Sequence, residues 1–222
     1  MTLRPHRIWQ LVDSGFPAGG FTHSAGTEAA ACHGDVGNAD DLRRLVLETI
    51  CQAGYGALPL VRAAHAGRTG LPDLDALNDA FLSQPIANRA SRAQGRALLT
   101  SAVRIFSEPS LRLVADCVER EHLAPHHAPV FGAVFRSLSI DAEATMRLFL
   151  YQAARTMILA AVKLGIVGVF DGQRLQDRAT PEIERTLERC RALDPEEIAQ
   201  TNPILDLYQA THDRLYSRLF QS

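Results

Sequence analysis

The strongest constraint on this chain is the spacing of its apolar residues. They recur at three- and four-residue steps along most of the length, and no long stretch alternates apolar and polar as a half-buried strand does. Such a chain folds as helices. Leu42, Leu45, Val46, Thr49 and Ile50 form one stripe; Asn38 before it is a capping residue, and Asp40 and Asp41 occupy the first turn. The pattern predicts a helix from there to Gly67, kinked near Pro59. Others are predicted over about 72–84, 85–106, 109–121, 128–138, 141–164, 181–192 and 203–220, with loops at Pro125, Asp171-Gly172 and Asp194-Pro195. The segment before residue 13 also reads as helical. No linker, repeat or low-complexity tract divides the chain. The expected fold is all-α, a single domain over 1–222 built as a bundle of about eight to ten helices.

At 222 residues the chain should bury about 70% of the surface it exposes when unfolded, so a real core is expected. Its 23 basic and 25 acidic residues give a net charge of −2, which argues against a nucleic-acid-binding face. The stretch from Met157 to Phe170 is apolar but interrupted by Lys163, and it falls short of the roughly 20 residues that span a bilayer. A core helix is expected there, with no membrane insertion. No apolar run of signal-peptide length stands near the N-terminus, and Cys32, Cys51, Cys117 and Cys190 show no C-x-x-C spacing. Reduced, mostly buried thiols in a cytoplasmic protein are the expectation.

All the basic residues except Lys163 are arginines. Arg89, Arg92 and Arg96 fall at i, i+3 and i+7, on one helix face, which serves either as a solvated surface or as a row facing carboxylates of a partner. In the same helix Ala87, Ala90, Ala93, Gly95 and Ala97 are small enough to admit a neighbouring backbone.

Special residues are densest in Asp13-Ser-Gly-Phe-Pro-Ala-Gly-Gly-Phe-Thr-His-Ser-Ala-Gly-Thr-Glu28. Gly15 and Gly20 match phosphate-loop spacing, but Phe21 stands where the phosphate-reaching Lys belongs, and the preceding segment reads as helix rather than strand. The better reading is a bend at Gly19 and Gly20, stiffened by Pro17, with Phe16 and Phe21 packing or facing a partner and Ser14 or Thr22 capping the next helix. His23 and Glu28, five apart, do not form a two-ligand helix face, and there is no H-E-x-x-H. His122, His126 and His127 read as capping or surface histidines, with a transient nickel or zinc contact as the alternative. No nucleophile elbow, Cys-base pair or carboxylate pair has a local signature, so neither an enzyme nor a resident cofactor or metal is expected. At the other end, Leu215, Tyr216, Leu219 and Phe220 keep an apolar face almost to the last residue, and Arg218 among them completes an interface-like composition. Such a tail docks on its own core or awaits a partner.

The Asp13–Glu28 segment and Leu215-Tyr-Ser-Arg-Leu-Phe-Gln-Ser222 together resemble the UreF family of urease accessory proteins. Asn88-Arg-Ala-Ser-Arg-Ala-Gln-Gly95, His127-Ala-Pro-Val-Phe-Gly132, the Tyr151–Lys163 helix and Asp171-Gly-Gln173 agree with it. Thr27, where the family has Leu, and the Gly165–Gly172 turn depart from the pattern. The resemblance implies a non-catalytic, all-helical, dimeric scaffold for nickel insertion into urease. Its implied partners are the UreD/UreH-type accessory protein, the UreG-type GTPase, whose nucleotide turnover it modulates, and apo-urease. The implied partner-facing positions are Phe16, Pro17, Gly19, Gly20, Phe21, His23, Ser24, Glu28 and Arg89, with Tyr216, Arg218, Leu219 and Phe220 in a docking tail at about 203–222. On this reading the tail folds when a partner binds, and Arg218 tightens the glycine turn. The competing reading is a metallochaperone that holds nickel directly through His23, His122 or His126.

Overall fold

A helix that is apolar on every side has to lie inside, and His127–Ser137 does: all eight residues from Ala128 to Phe135 are buried. The computed structural model describes residues 5–221, with Pro5 and Phe21 described by their backbone alone. Around that central helix the described residues form eleven α-helices and no strand. They are α1 (Pro5–Val12), α2 (Thr27–Cys32), α3 (Ala39–Gly56), α4 (Leu58–Ala66), α5 (Leu71–Phe81), α6 (Pro85–Ile105), α7 (Pro109–Arg120), α8 (His127–Ser137), α9 (Ala142–Lys163), α10 (Val169–Cys190) and α11 (Pro203–Thr211). Short 3-10 turns occupy Gly20–Thr22, Pro195–Glu197 and His212–Arg214.

α8 is enclosed by α4, α5, α6, α7 and α9, while α3 packs on α9 and α10. A stacked pair of Phe131 and Phe135 at 4.1 Å lies in this core, and Phe149 of α9 meets Phe131 edge-on at 5.3 Å. Local chemistry fixes several helix starts. The Asn38 side chain accepts from the amides of Asp40 and Asp41 at 2.9 and 3.1 Å, the Asp141 carboxylate caps α9 through Ala144, and Pro85 opens α6 behind a Gln84 side chain that accepts from Ala87.

The bounds differ from the expectation at three places. The helix expected over 38–67 breaks at Ala57, two residues before Pro59, which instead occupies the first turn of α4. α10 begins at Val169 rather than 181, so Asp171-Gly172 is helical and Pro181 sits within the helix. Close approach explains this: a methyl at Gly172 would stand 2.9 Å from Val162 and 3.2 Å from Ile158, so glycine lets the start of α10 lie against α9. Third, α11 stops at Thr211, and the tail beyond its 3-10 turn is open chain rather than helix to 220. The small face of α6 does admit a backbone as expected, since a methyl at Gly95 would stand 2.0 Å from the Pro125 carbonyl oxygen.

Candidate partner-docking site

The site is built where the segment between α1 and α2 meets the chain after α11. Asp13 accepts from the Gly15 amide at 2.6 Å, and Ser101 of α6 donates its hydroxyl to the Pro17 carbonyl at 2.8 Å. Phe16 stacks on Phe106 at 6.1 Å, which anchors the loop from below. Gly19 takes the left-handed conformation, φ +75°, and leads into the 3-10 turn at Gly20. Thr22 donates back to the Gly19 carbonyl at 3.0 Å instead of capping α2. The residue before α2 is Gly26, also left-handed and with no side-chain cap. The side chain of Phe21 lies outside the described residues.

Glu28, in the first turn of α2, is 2% exposed. An isolated buried carboxylate would be costly, so its partners decide the local structure. They come from the far end of the chain. Oε1 accepts the Leu219 amide at 2.6 Å, and Oε2 accepts the Phe220 amide at 3.2 Å and His212 Nε2 at 2.9 Å. His212 Nδ1 is buried with no hydrogen-bond partner among the described residues, so the ring proton belongs on Nε2, facing Glu28. The Gln221 amide adds a bond of 2.7 Å to the Thr22 carbonyl. These amides reach Glu28 only from an open backbone, which is why the helical pattern of the tail is not realised beyond residue 214. The tail is thus seated on this chain's own α2.

Other contacts deliver the tail to that place. Gln52 of α3 accepts from the amides of Thr201 and Asn202 at 2.6 and 3.1 Å, fixing the start of α11, and the Asn202 side chain then caps that helix through Ile204. Asp213 bridges two arginines, Arg89 of α6 and Arg218 of the tail, each at 2.9 Å. Both guanidiniums hold its carboxyl below its ordinary range, with Arg89 the larger influence. The Phe220 ring is buried beneath the Lys163 ammonium, which stands 4.8 Å from its centroid.

Phe220, His23 and His127 help to line a cavity of about 430 Å³ behind the strap. Burial, and then the neighbouring His212, lower the pKa of His23; burial, and then His23, push His127 down to about 4. Both rings are therefore neutral near pH 7. His127 packs edge-on to Phe131 at 5.6 Å and over Phe149 at 5.7 Å.

The expected positions divide into two groups. Pro17, Gly19, Gly20, Arg89, Tyr216, Arg218 and Leu219 reach the surface, with Tyr216 and Leu219 at 107% and 68% exposure. Phe16, His23, Ser24, Glu28 and Phe220 are buried and hold the arrangement from within. His126 is not a surface residue, and His127 is half-buried. His126 is fully enclosed, with Nε2 3.0 Å from Asp79 and Nδ1 3.1 Å from Ser91. His23, His122 and His126 do not converge: His122 is exposed in a loop, and no group of three His, Cys, Asp or Glu among the described residues is placed to hold a metal ion. The four cysteines are free, but only Cys190 is buried. No helix among the described residues is long and apolar enough to cross a membrane. His212, Asp213 and Gln52 were not signalled by any local motif; each acquires its role from a partner more than a hundred residues away.

Known proteins resemble this chain in sequence. The family model described as UreF matches residues 36–180, the helical body from before α3 into α10. A urease accessory protein F of Oryza sativa subsp. indica is 36% identical over 220 residues, covering 96% of this chain and 83% of its own length. The urease accessory protein F of Arabidopsis thaliana is 35% identical over 222 residues, with 96% and 91% covered. UreF of Arthrobacter sp. strain FB24 is 28% identical over 216 residues, with 97% and 96% covered. With a family model spanning more than half of it and relatives above 30% identity along nearly its full length, this chain belongs to the UreF family of urease accessory proteins.

Proposed function

We propose that this protein serves urease maturation as a non-catalytic docking scaffold in the cytoplasm. It works as a homodimer that joins a UreD/UreH-type accessory protein to a UreG-type GTPase and apo-urease, modulating GTP turnover and the delivery of nickel. The observation that carries the reading is the strap on Glu28: it holds Tyr216, Arg218 and Leu219 outward, beside the glycine turn, while burying Phe220. Exposed aromatic, aliphatic and Arg side chains on a fixed backbone have the composition and preorganisation of an interface hot spot. The partner-facing set is Pro17, Gly19, Gly20, Phe21, Arg89, Tyr216, Arg218 and Leu219, supported from beneath by Phe16, His23, Ser24, Glu28 and Phe220.

The test is size-exclusion chromatography with light scattering on the protein mixed with a UreD/UreH-type partner, then with the GTPase added. A defined larger complex that captures the GTPase is expected, and Tyr216→Ala with Leu219→Ser should weaken it by about 2–4 kcal/mol. Elution of the protein alone and unchanged, beside a well-behaved partner, overturns the scaffold reading. Equilibrium dialysis with nickel tests the direct-carrier alternative, for which tight binding by the isolated chain would be required.

A further inference from the structure

The twenty-one residues of α6 include four arginines and no Asp or Glu. Its inner side is committed to the core through Ile86, Leu98, Leu99 and Ala102, and its outer side carries Arg89, Arg92 and Arg96, all exposed. Spaced at i, i+3 and i+7, these three stand along one face over about 10 Å at 1.5 Å per residue. The carboxylates that meet them come from elsewhere: Asp79 of α5 pairs with Arg92 at 2.5 Å, and Asp213 pairs with Arg89 and Arg218. Arg96 has no ion pair among the described residues. Three guanidiniums therefore share two carboxylates and Arg96 meets none, leaving an excess of two positive charges on one surface of a chain whose net charge is −2. Shallow depressions flank Arg89 on both sides, one lined by Asp79, Asn88 and Arg92, the other by Asp213, Arg218 and Gln221.

We propose that this outer face of α6 receives an acidic segment of a partner protein, its carboxylates in register with Arg89, Arg92 and Arg96. Asp79 and Asp213 show within the molecule how a carboxylate sits on these forks, and the planar guanidinium suits such pairing. A nucleic acid fits less well, because the exposed positions beside the arginines are Ala93, between them, and Thr100, one turn beyond Arg96, rather than aromatic platforms for bases. The proposal rests on the scaffold reading and adds the chemistry of one partner surface to it.

The experiment is a fluorescence-anisotropy titration of a labelled ten-residue oligoglutamate with the full chain, beside oligolysine and oligothymidylate controls. Arg96→Glu is the decisive variant, since Arg96 is exposed and forms no ion pair that its loss would break; Arg92→Glu is the second. Saturable oligoglutamate binding is expected, weakened about fivefold or more between 50 and 300 mM salt and about tenfold by Arg96→Glu, with oligolysine silent. No binding, or equal binding by Arg96→Glu with its circular dichroism unchanged, overturns the proposal, and tighter binding of oligothymidylate overturns it in favour of a nucleic acid. The scaffold reading fails separately, if the wild-type chain does not co-elute with its accessory partner. Undiminished co-elution of Arg96→Glu sinks only the acidic-segment assignment.

Discussion

Glu28 and His212 stand 184 positions apart in the chain and 2.9 Å apart in the fold, with both side chains shut off from solvent. The carboxylate accepts the imidazole N–H and two backbone amides of the tail, so one buried residue of α2 sets the path of everything after α11.

Removing that carboxylate leaves three donors facing an empty site, at about 1–3 kcal/mol for each that stays buried. The tail should detach rather than remain. Glu28→Ala is expected to speed trypsin cleavage at Arg214 and Arg218 by about tenfold or more while far-ultraviolet circular dichroism keeps its helical signal. Unaltered cleavage would show that Phe220 and Lys163 hold the strap without Glu28.

Acid should weaken the fold through His127. The unfolded imidazole takes a proton near 6.5, the folded one only at about 4, because burial and the neighbouring His23 oppose its charge. Between those values the unfolded chain binds the extra proton. The contribution of His127 is therefore complete above about pH 6.5 and is lost as pH falls toward about 4, by at most about 3 kcal/mol. Urea denaturation at pH 7.5, 6 and 5 should show the decline, and His127→Gln should flatten it.

At Gly172, α10 lies directly against α9. Leucine there has nowhere to go beside Val162 and Ile158, and about 1–3 kcal/mol of stability should be lost. Chemical denaturation measures this directly; an unchanged midpoint would mean that the start of α10 can swing outward freely.

Helix starts were legible where a local side chain makes them, as at Asn38, Pro85 and Asp141. The start of α10 was not, because Gly168 gives no side-chain cap and Asp171-Gly172 has the composition of a turn; only the approach to α9 makes it helical. The tail misled for the opposite reason. Leu215, Tyr216, Leu219 and Phe220 repeat at helical spacing, yet the amides of 219 and 220 gain more from the Glu28 carboxylate than from a helix ladder. The same distance effect hid half of the site. Arg89 and Arg218 could be singled out by type, but their common anchor, Asp213, is defined only once α6 and the tail are neighbours.

The long reach of Glu28 has a consequence for how the protein is made. On a ribosome, α2 emerges while most of the chain is still unsynthesised, and its carboxylate has none of the three donors that satisfy it until residues 212–220 appear. An interrupted product would carry its helical core but an open cavity wall and an unpaired acidic group. The glycine turn is thus completed only when residues up to 192 positions beyond Glu28 have been translated.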